Sequence, residues 1–351
     1  MGVNGAEVRE DVPSRKKLFY PIGEPLRKYL RQWDREIRLP LHYADLLHFN
    51  FSVPLLDKND HDTLWQTVQY EQSELNELYP ALKYIYALLH ADGRMEVMEH
   101  LSVARIDYCT FGNSRPFRIR IINRLNDNYD HFYIKYADAS RVFGLELEHI
   151  LSPNRINYVT DRETLIEEHI PGLPGDVFIE QYLHVSKFDE TRISKEFVKF
   201  NERCFVRLLG DMRSYNFVVD ITPDIEGSQY RIRSIDFDQQ SYEGRKSMYL
   251  PQFFKENRNL VFLCMQHLNE KTILQYQQEE RSLIAHRVRL GRYRLDALFD
   301  AMKDASIAPE EKIRLLGTQL ADHHEDDSFN QVDTMPMIVQ KHLYGCLNRL
   351  V

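Results

Sequence analysis

Helical spacing of apolar residues dominates both ends of this chain, and strand-like runs occupy its middle. Leu26, Tyr29, Leu30, Trp33 and Ile37 fall on one helical face and predict a helix over Pro25–Leu39. From Asp62 onward Leu64, Trp65, Val68, Leu75, Leu78, Leu82, Ile85, Leu88 and Leu89 recur at three- and four-residue steps. A second helical region is therefore expected to run to the turn at Asp92-Gly93, with Pro80 kinking or dividing it. The period then changes. Leu101–Thr110, Phe117–Leu125 and His131–Tyr136 read as three strands joined by turn residues, Ser140–Leu151 as a helix, and Arg155–Thr160 and Glu163–Ile170 as two further strands. Asp176–His184 and Arg192–Leu208 read as helices, and Phe217–Asp220 and Tyr230–Phe237 as a strand pair across a polar turn. Gln252–Leu268, Lys271–Met302, Pro309–Leu320 and Met337–Leu350 are helical by pattern, and Pro309-Glu310-Glu311 makes a good helix start. Residues 1–20 carry no periodicity and read as a poorly ordered tail, in which Arg15-Lys16-Lys17 is too short to mark a partner.

Composition narrows the classes. With 43% hydrophobic and 28% charged residues over 351 positions, the chain is an ordinary globular mixture of two or three domains, or one large two-lobed one. A net charge of −8 lacks the basic footprint of a nucleic-acid binder. Cys109, Cys204, Cys264 and Cys346 lie far apart with no C-x-x-C pair, against a disulfide framework or a zinc knuckle. No apolar run approaches the ~18 residues of a membrane span, and the polar N-terminus is unlike a signal peptide, so a cytoplasmic address is expected. The opening Met-Gly-Val-Asn-Gly-Ala misses a myristoylation signal at Ala6. His323-His324-Glu325-Asp326-Asp327 suggests a metal cluster by composition only and reads as a solvated loop between helices.

The polar residues that stand out form an ordered set. Asp211 and Asn216 lie five positions apart in a short loop before an apolar strand, and the next strand ends on Asp236. Singly, these are ordinary turn residues. Together they suit phosphoryl transfer, where one carboxylate orients the attacking hydroxyl while an amide and a second carboxylate hold Mg²⁺ on the nucleotide phosphates. Upstream, Lys135 sits between aromatic neighbours in Phe-Tyr-Ile-Lys-Tyr and needs an anionic partner if it is even partly buried. The helix that follows offers Glu146, on the face of Val142, His149 and Ile150, or Glu148 on another face.

The spacing resembles the catalytic loop D-x-x-x-x-N followed by D-F-G in protein kinases. It is still more similar to the G-D-x-x-x-x-N and I-D-[FW]-[DE] motifs of the aminoglycoside/choline-kinase-like phosphotransferases, over about Leu101 to Tyr249. Leu209 departs from the His those enzymes commonly carry before Gly-Asp. The resemblance implies an α+β, two-lobed protein-kinase-like fold. A helical N-terminal extension (1–97) would precede a lobe of antiparallel sheet plus one helix (98–170) and a lobe with a helical C-terminal subdomain (171–351). It also implies site roles. Lys135 would bind the α- and β-phosphates and be oriented by Glu146, and backbone groups from Glu168 to Ile170 would meet the adenine edge. Gly112, Asn113, Ser114 and Arg115 would cover the phosphates, although a plain hairpin explains them equally well. Asp211 would act on the hydroxyl, Arg213 would neutralise the γ-phosphoryl group or simply pair with Asp211 or Glu243, and Asn216 and Asp236 would hold Mg²⁺. Asp238 is either a second carboxylate near the metal or a solvated loop residue. The implied activity is Mg²⁺- and ATP-dependent phosphorylation of a hydroxyl. Only about fifteen residues separate Asp236 from the helix near Gln252, with no Ala-Pro-Glu motif, which favours a small-molecule acceptor over a protein. A protein or self-phosphorylating kinase, a pseudokinase and a nucleotidyl transferase remain alternatives.

Overall fold

The computed structural model describes residues 17–57, 60–110, 113–183, 188–225 and 227–347. Arg15, Lys16, Gly112 and His184, which figure in the expectations above, lie outside the described residues. Strands β1 (Phe51–Leu56), β2 (Asp62–Gln69), β3 (Leu101–Cys109), β4 (Phe117–Asn123), β5 (Tyr129–Tyr136), β6 (Tyr158–Asp161) and β7 (Thr164–Glu168) form one antiparallel sheet in the order β1-β2-β3-β4-β5-β7-β6. Side-chain alternation gives its two faces different jobs. Phe117, Ile119, Ile121, Phe132 and Ile134 gather with Leu78, Leu82, Ile85 and Leu89 of a long helix, Gln72–Ala91, in one apolar cluster. On the other face the register sets Thr67, Asp107, Arg118, Tyr133 and Glu167 side by side across β2, β3, β4, β5 and β7. Asp107 is fully buried there and accepts from Thr67 Oγ1 (2.9 Å) and Arg118 Nη2 (2.9 Å).

The helices, in chain order, are α1 (Glu24–Gln32), α2 (Gln72–Ala91), α3 (Ala139–Leu151), α4 (Gly175–Val177), α5 (Glu190–Arg207), α6 (Arg258–His267), α7 (Glu270–Leu290), α8 (Arg292–Met302), α9 (Glu310–His324) and α10 (Met335–Leu347). A second sheet orders β10 (Gly227–Ser234), β9 (Phe217–Asp224) and β8 (Leu173–Pro174). A second, larger apolar cluster joins α3, α5, this small sheet and the C-terminal helices. The molecule is thus a mixed α/β structure with two apolar cores, and the apolar residues of α3 lie in the larger one.

Helix α3 explains how the lobes are tied. Asp138 caps it, accepting from Ser140 N (3.0 Å) and Arg141 N (3.2 Å). Gly144 lets it approach the chain after Asp236, because a Cβ there would come within 2.9 Å of Gln240 Cβ. Twelve of its thirteen residues are buried, and three of those are charged: Arg141, Glu146 and Glu148. Buried charges persist only with partners. Glu146 accepts from Tyr29 of α1 (2.5 Å), Tyr158 of β6 (2.5 Å) and Arg294 of α8 (2.7 Å). Although burial alone would raise it, Arg294 and the two tyrosine O–H donors hold its carboxyl below the ordinary range. Glu148 pairs with Arg207 of α5.

Several sequence expectations change. Residues 62–69, expected as the start of a helix, are β2, and with β1 they extend the large sheet, so the segment 1–97 is not wholly helical. Leu64 is half exposed with φ of 63°, so the apparent helical stripe through Leu64 and Trp65 is not one face of anything. Pro80 lies inside an uninterrupted α2, whose packing on the sheet outweighs the lost N–H. The helix expected over Lys271–Met302 breaks at Gly291 into α7 and α8. Gln252–Leu268 starts with 3₁₀ turns at Pro251–Phe253 and Lys255–Asn257 before α6. Lys17, read as tail, is well ordered into the fold, donating to Asp138 Oδ1 and Ser140 Oγ, both at 2.7 Å. His323 and His324 close the last turn of α9 rather than sitting in a loop. Among the described residues, no helix is long and apolar enough to cross a membrane.

Glu146→Gln should lower the unfolding free energy by about 3–5 kcal/mol at neutral pH, since it strands Arg294 and misdirects two buried tyrosines. Because the folded-state pKa of Glu146 is depressed, its contribution is full above the unfolded value of about 4.3 and is lost as pH falls below it. Urea denaturation of both proteins at pH 7 and pH 4 should therefore show the gap narrowing in acid.

Candidate functional site

Asp211 follows directly from the end of α5. Leu208 stops that helix in the left-handed region, with φ of 50°, and the chain then crosses under the lobes as Leu209-Gly210-Asp211. This crossing is zipped to the stretch after Asp236. Leu209 bridges Gln240, Gly210 N donates to Gln239 O (3.2 Å), and Ser241 N donates to Leu208 O (2.9 Å). Asp211 itself has φ of 57°, a position that Asp tolerates better than most residues, and its N–H donates to Met248 O (3.1 Å).

The loop between Asp211 and Asn216 closes on itself. Asn216 Nδ2 donates to Asp211 O (2.7 Å), and Ile235 N donates to Asn216 O (3.1 Å), so the loop also holds the strand that delivers Asp236. With Nδ2 spent, Asn216 keeps Oδ1 as an acceptor. Arg213 Nε donates to Asp211 Oδ1 (2.8 Å) while its Nη1 donates to Glu256 Oε1 (2.7 Å). Of the two partners open to Arg213 from sequence, Asp211 is therefore the one it takes, and Glu243 instead binds Lys312 (3.0 Å). Burial raises the Asp211 carboxyl above its ordinary value, against the lowering effect of Arg213. The half-exposed Tyr215 lies in the fields of Asp211, Arg213, Glu256 and Asp236 together.

The upper wall differs from expectation. Glu146 does not reach Lys135, and neither does Glu148, because the two are consumed by Arg294 and Arg207 on the far side of α3. Lys135 pairs instead with Glu167 Oε2 (2.5 Å). The sheet register pairs Lys135 with Leu165, so Glu167 is its diagonal neighbour on the same face. The helix contributes a cation in place of an acid. Arg141, 1% exposed, donates from Nη1 to Glu167 Oε1 (3.2 Å), from Nη2 to Asp236 Oδ1 (3.0 Å) and Ser114 Oγ (3.3 Å), and from Nε to Asp238 Oδ1 (2.8 Å). Burial and the charge of Asp238 raise the Asp236 carboxyl. Burial opposes but does not overcome the pull of Arg141 and Lys17, which holds Asp238 low. Asp238 is accordingly a buried ion-pair member, not a solvated loop residue.

Arg141 and Glu167, which sequence reasoning missed, join Lys135 to Asp236, while Asn216 ties the loop of Asp211 and Arg213 to the strand that delivers Asp236. A signal existed for Arg141, since a charge on a helix this apolar requires a buried partner. A cleft of about 360 Å³ opens beside the cluster, lined by Asn113, Ser114, Arg115, Tyr136, Asp238 and the ordered N-terminal Lys17–Phe19. Glu168 and Ile170 sit at the end of β7 and just beyond it. The Glu168 N–H is taken by Asn157 O (3.0 Å), so any backbone recognition there falls to other groups of the segment.

The oxygen donors fit a hard divalent cation, which takes carboxylate and amide oxygens. Asp236 is a third exposed (33%), and Asn216 Oδ1 is the unspent end of a fixed amide.

No family model matches the chain, and no curated protein matches it. Among solved structures it is similar to one titled "Titin kinase and its flanking domains", with 13% identity and a TM-score of 0.26, over 73% of this chain. The chain spans about half of that one, 48% of its length, and a likeness this loose says nothing of what the cleft does.

Proposed function

We propose that this chain is an ATP-dependent phosphotransferase that phosphorylates a hydroxyl of a small molecule. The observation that carries the reading is the junction of two loops beside the cleft, one bearing Asp211 and Asn216 and the other Asp236 and Asp238, with Arg141 joining the second to Ser114 and to the Glu167 partner of Lys135. Asp236 and Asn216, with Asp238 beside them, would hold Mg²⁺, whose part is to neutralise the charge of the phosphate chain. Lys135, kept extended by Glu167, offers a cation to the same phosphates. The acceptor O–H gives its proton to Asp211, its oxygen forms the new bond to the γ-phosphorus, and the bridging P–O bond breaks to release ADP. Arg213 lies beside Asp211 and supplies positive charge where the transferring group gains negative charge. The short 3₁₀ turns between Asp236 and α6 leave little platform for an extended peptide, which supports a small acceptor.

A nucleotide-binding protein without turnover is the second reading, favoured by Arg141. A guanidinium already occupies the space between Asp236 and Asp238, so a metal must share or displace it. The two readings separate experimentally. Under the first, ATP with Mg²⁺ shifts the thermal midpoint more than ATP alone, Asp236→Asn removes that difference, and Asp211→Asn keeps it while abolishing transfer of γ-labelled phosphate. An Mg²⁺-independent shift with no labelled product from a metabolite pool would favour the second. Label transferred from the α position would instead mark nucleotidyl transfer.

Arg141→Met strands Asp236 and Asp238, leaves Glu167 with Lys135 alone, and should cost about 3–5 kcal/mol. With folded-state pKa values raised in the variant, stability is retained at low pH and lost as pH rises, so the deficit should be larger at pH 8 than at pH 5. Mg²⁺ should stabilise this variant more than the parent.

The raised pKa of Asp211 predicts that kcat/KM rises with pH through an apparent pKa above the usual carboxylate value of about 3.9. Arg213→Gln removes the charge and hydrogen bond that lower it, so the acidic limb of the pH–rate profile should move to higher pH. An unmoved limb would exclude Asp211 as the base.

A further inference from the structure

Far from the cleft, at the contact of α5, α9 and α10, three side chains with soft or borderline donor atoms meet. His342 and Cys346 are one turn apart on α10, and His324 is the last residue of α9. His342 is fully buried, and its Nε2 faces the backbone carbonyl of Phe205 at 2.9 Å. A carbonyl only accepts, so Nε2 carries the proton and Nδ1 presents a lone pair. That lone pair points at His324 Nε2, 2.9 Å away, and Cys346 Sγ lies over the ring, 3.8 Å from Nδ1 and 3.4 Å from Nε2. The three donor atoms all fall within 4.8 Å of one another.

We propose that His324, His342 and Cys346 form a structural site for a Zn²⁺-like ion, with a water in the fourth position. Zn–N bonds of about 2.0–2.1 Å in a tetrahedron put two nitrogens about 3.3 Å apart, and a Zn–S bond of about 2.3 Å puts sulfur about 3.6 Å from each nitrogen. His342 Nδ1 already stands near the first distance from His324, and closing the site asks Cys346 to swing its sulfur off the face of the His342 ring toward the two nitrogens. The bond from His342 Nε2 to a backbone carbonyl is the outer contact that metal-bound histidines use to fix ring and tautomer. Gly345 leaves the space that the His324 ring fills, since a Cβ there would lie 3.0 Å from its Cε1, and Phe329 stacks on the ring's other side at 5.0 Å.

The surroundings set the proton balance. Burial lowers His342 to about 3 and His324 to about 4, so both rings are neutral ligands at pH 7. Burial pushes the Cys346 thiol up to about 12, so binding must release its proton. Arg281 of α7, held by Glu202 of α5, faces the cluster and would stabilise the thiolate, while His323, Lys246 and Asp326 face His324. An ion here would staple α9 to α10 and both to the end of α5, six residues before Asp211.

The test is titration of chelator-treated full-length protein with Co²⁺ and with Zn²⁺. One ion per chain is expected, with a thiolate-to-cobalt charge-transfer band, a higher thermal midpoint with Zn²⁺, and weaker binding as pH falls. Cys346→Ser should lose the band, and His324→Gln should bind more than tenfold more weakly. Absence of the band in the parent, or its persistence in Cys346→Ser, overturns the proposal. Should Cys346→Ser fail to fold, His324→Gln decides alone: affinity equal to the parent's refutes the site, and the tenfold loss supports it.

Discussion

A helix buried on nearly every side cannot carry charge unless the rest of the protein comes to meet it, and α3 carries three. Each is answered from a different direction. Arg141 is met by the cleft carboxylates, Glu146 by α1, β6 and α8, and Glu148 by α5. The desolvation cost of these ions is repaid only in the complete assembly. The arrangement therefore specifies how the lobes sit rather than adding bulk stability, and the apolar residues of α3 supply the latter.

The same helix sets the electrostatics of the cleft. Lys135 and Arg141 stand against Glu167, Asp236 and Asp238, with Lys17 near enough to bear on Asp238. Arg141 binds both aspartates, yet burial and the neighbouring charge raise Asp236 while Arg141 and Lys17 hold Asp238 low.

Below the cleft, support comes from the helical subdomain. Asn257 Nδ2 donates to Met212 O (2.9 Å) and Pro251 O (2.8 Å), Met248 O receives the Asp211 N–H, and Glu256 holds the outer end of Arg213. The loop that bears Asp211 is thus braced from two later turns, Lys246–Tyr249 and Lys255–Asn257, which is why it can hold a left-handed residue.

The order of elements from Leu101 onward was legible in the sequence because period-two and period-3.6 patterns there reflect single buried faces. The loop from Asp211 to Asn216 was legible as a local unit as well, since Asn216 closes back on Asp211 within five residues. Sequence alone misassigned residues 62–69, where pairing with β1 on one side and with the distant β3 on the other overrides a fortuitous helical stripe. It also paired Lys135 with Glu146. Which face of α3 meets the sheet depends on the packing of α7, α8 and α5, none of which is adjacent in sequence, and that packing turned Glu146 outward to Arg294 and Arg141 inward. Likewise Glu167 became the partner of Lys135 through strand register, and His324 met His342 and Cys346 through the docking of two helices. Local chemistry is written in the chain, but the pairing of buried charges is decided by long-range packing, because a buried ion takes whichever partner the closed core brings within reach.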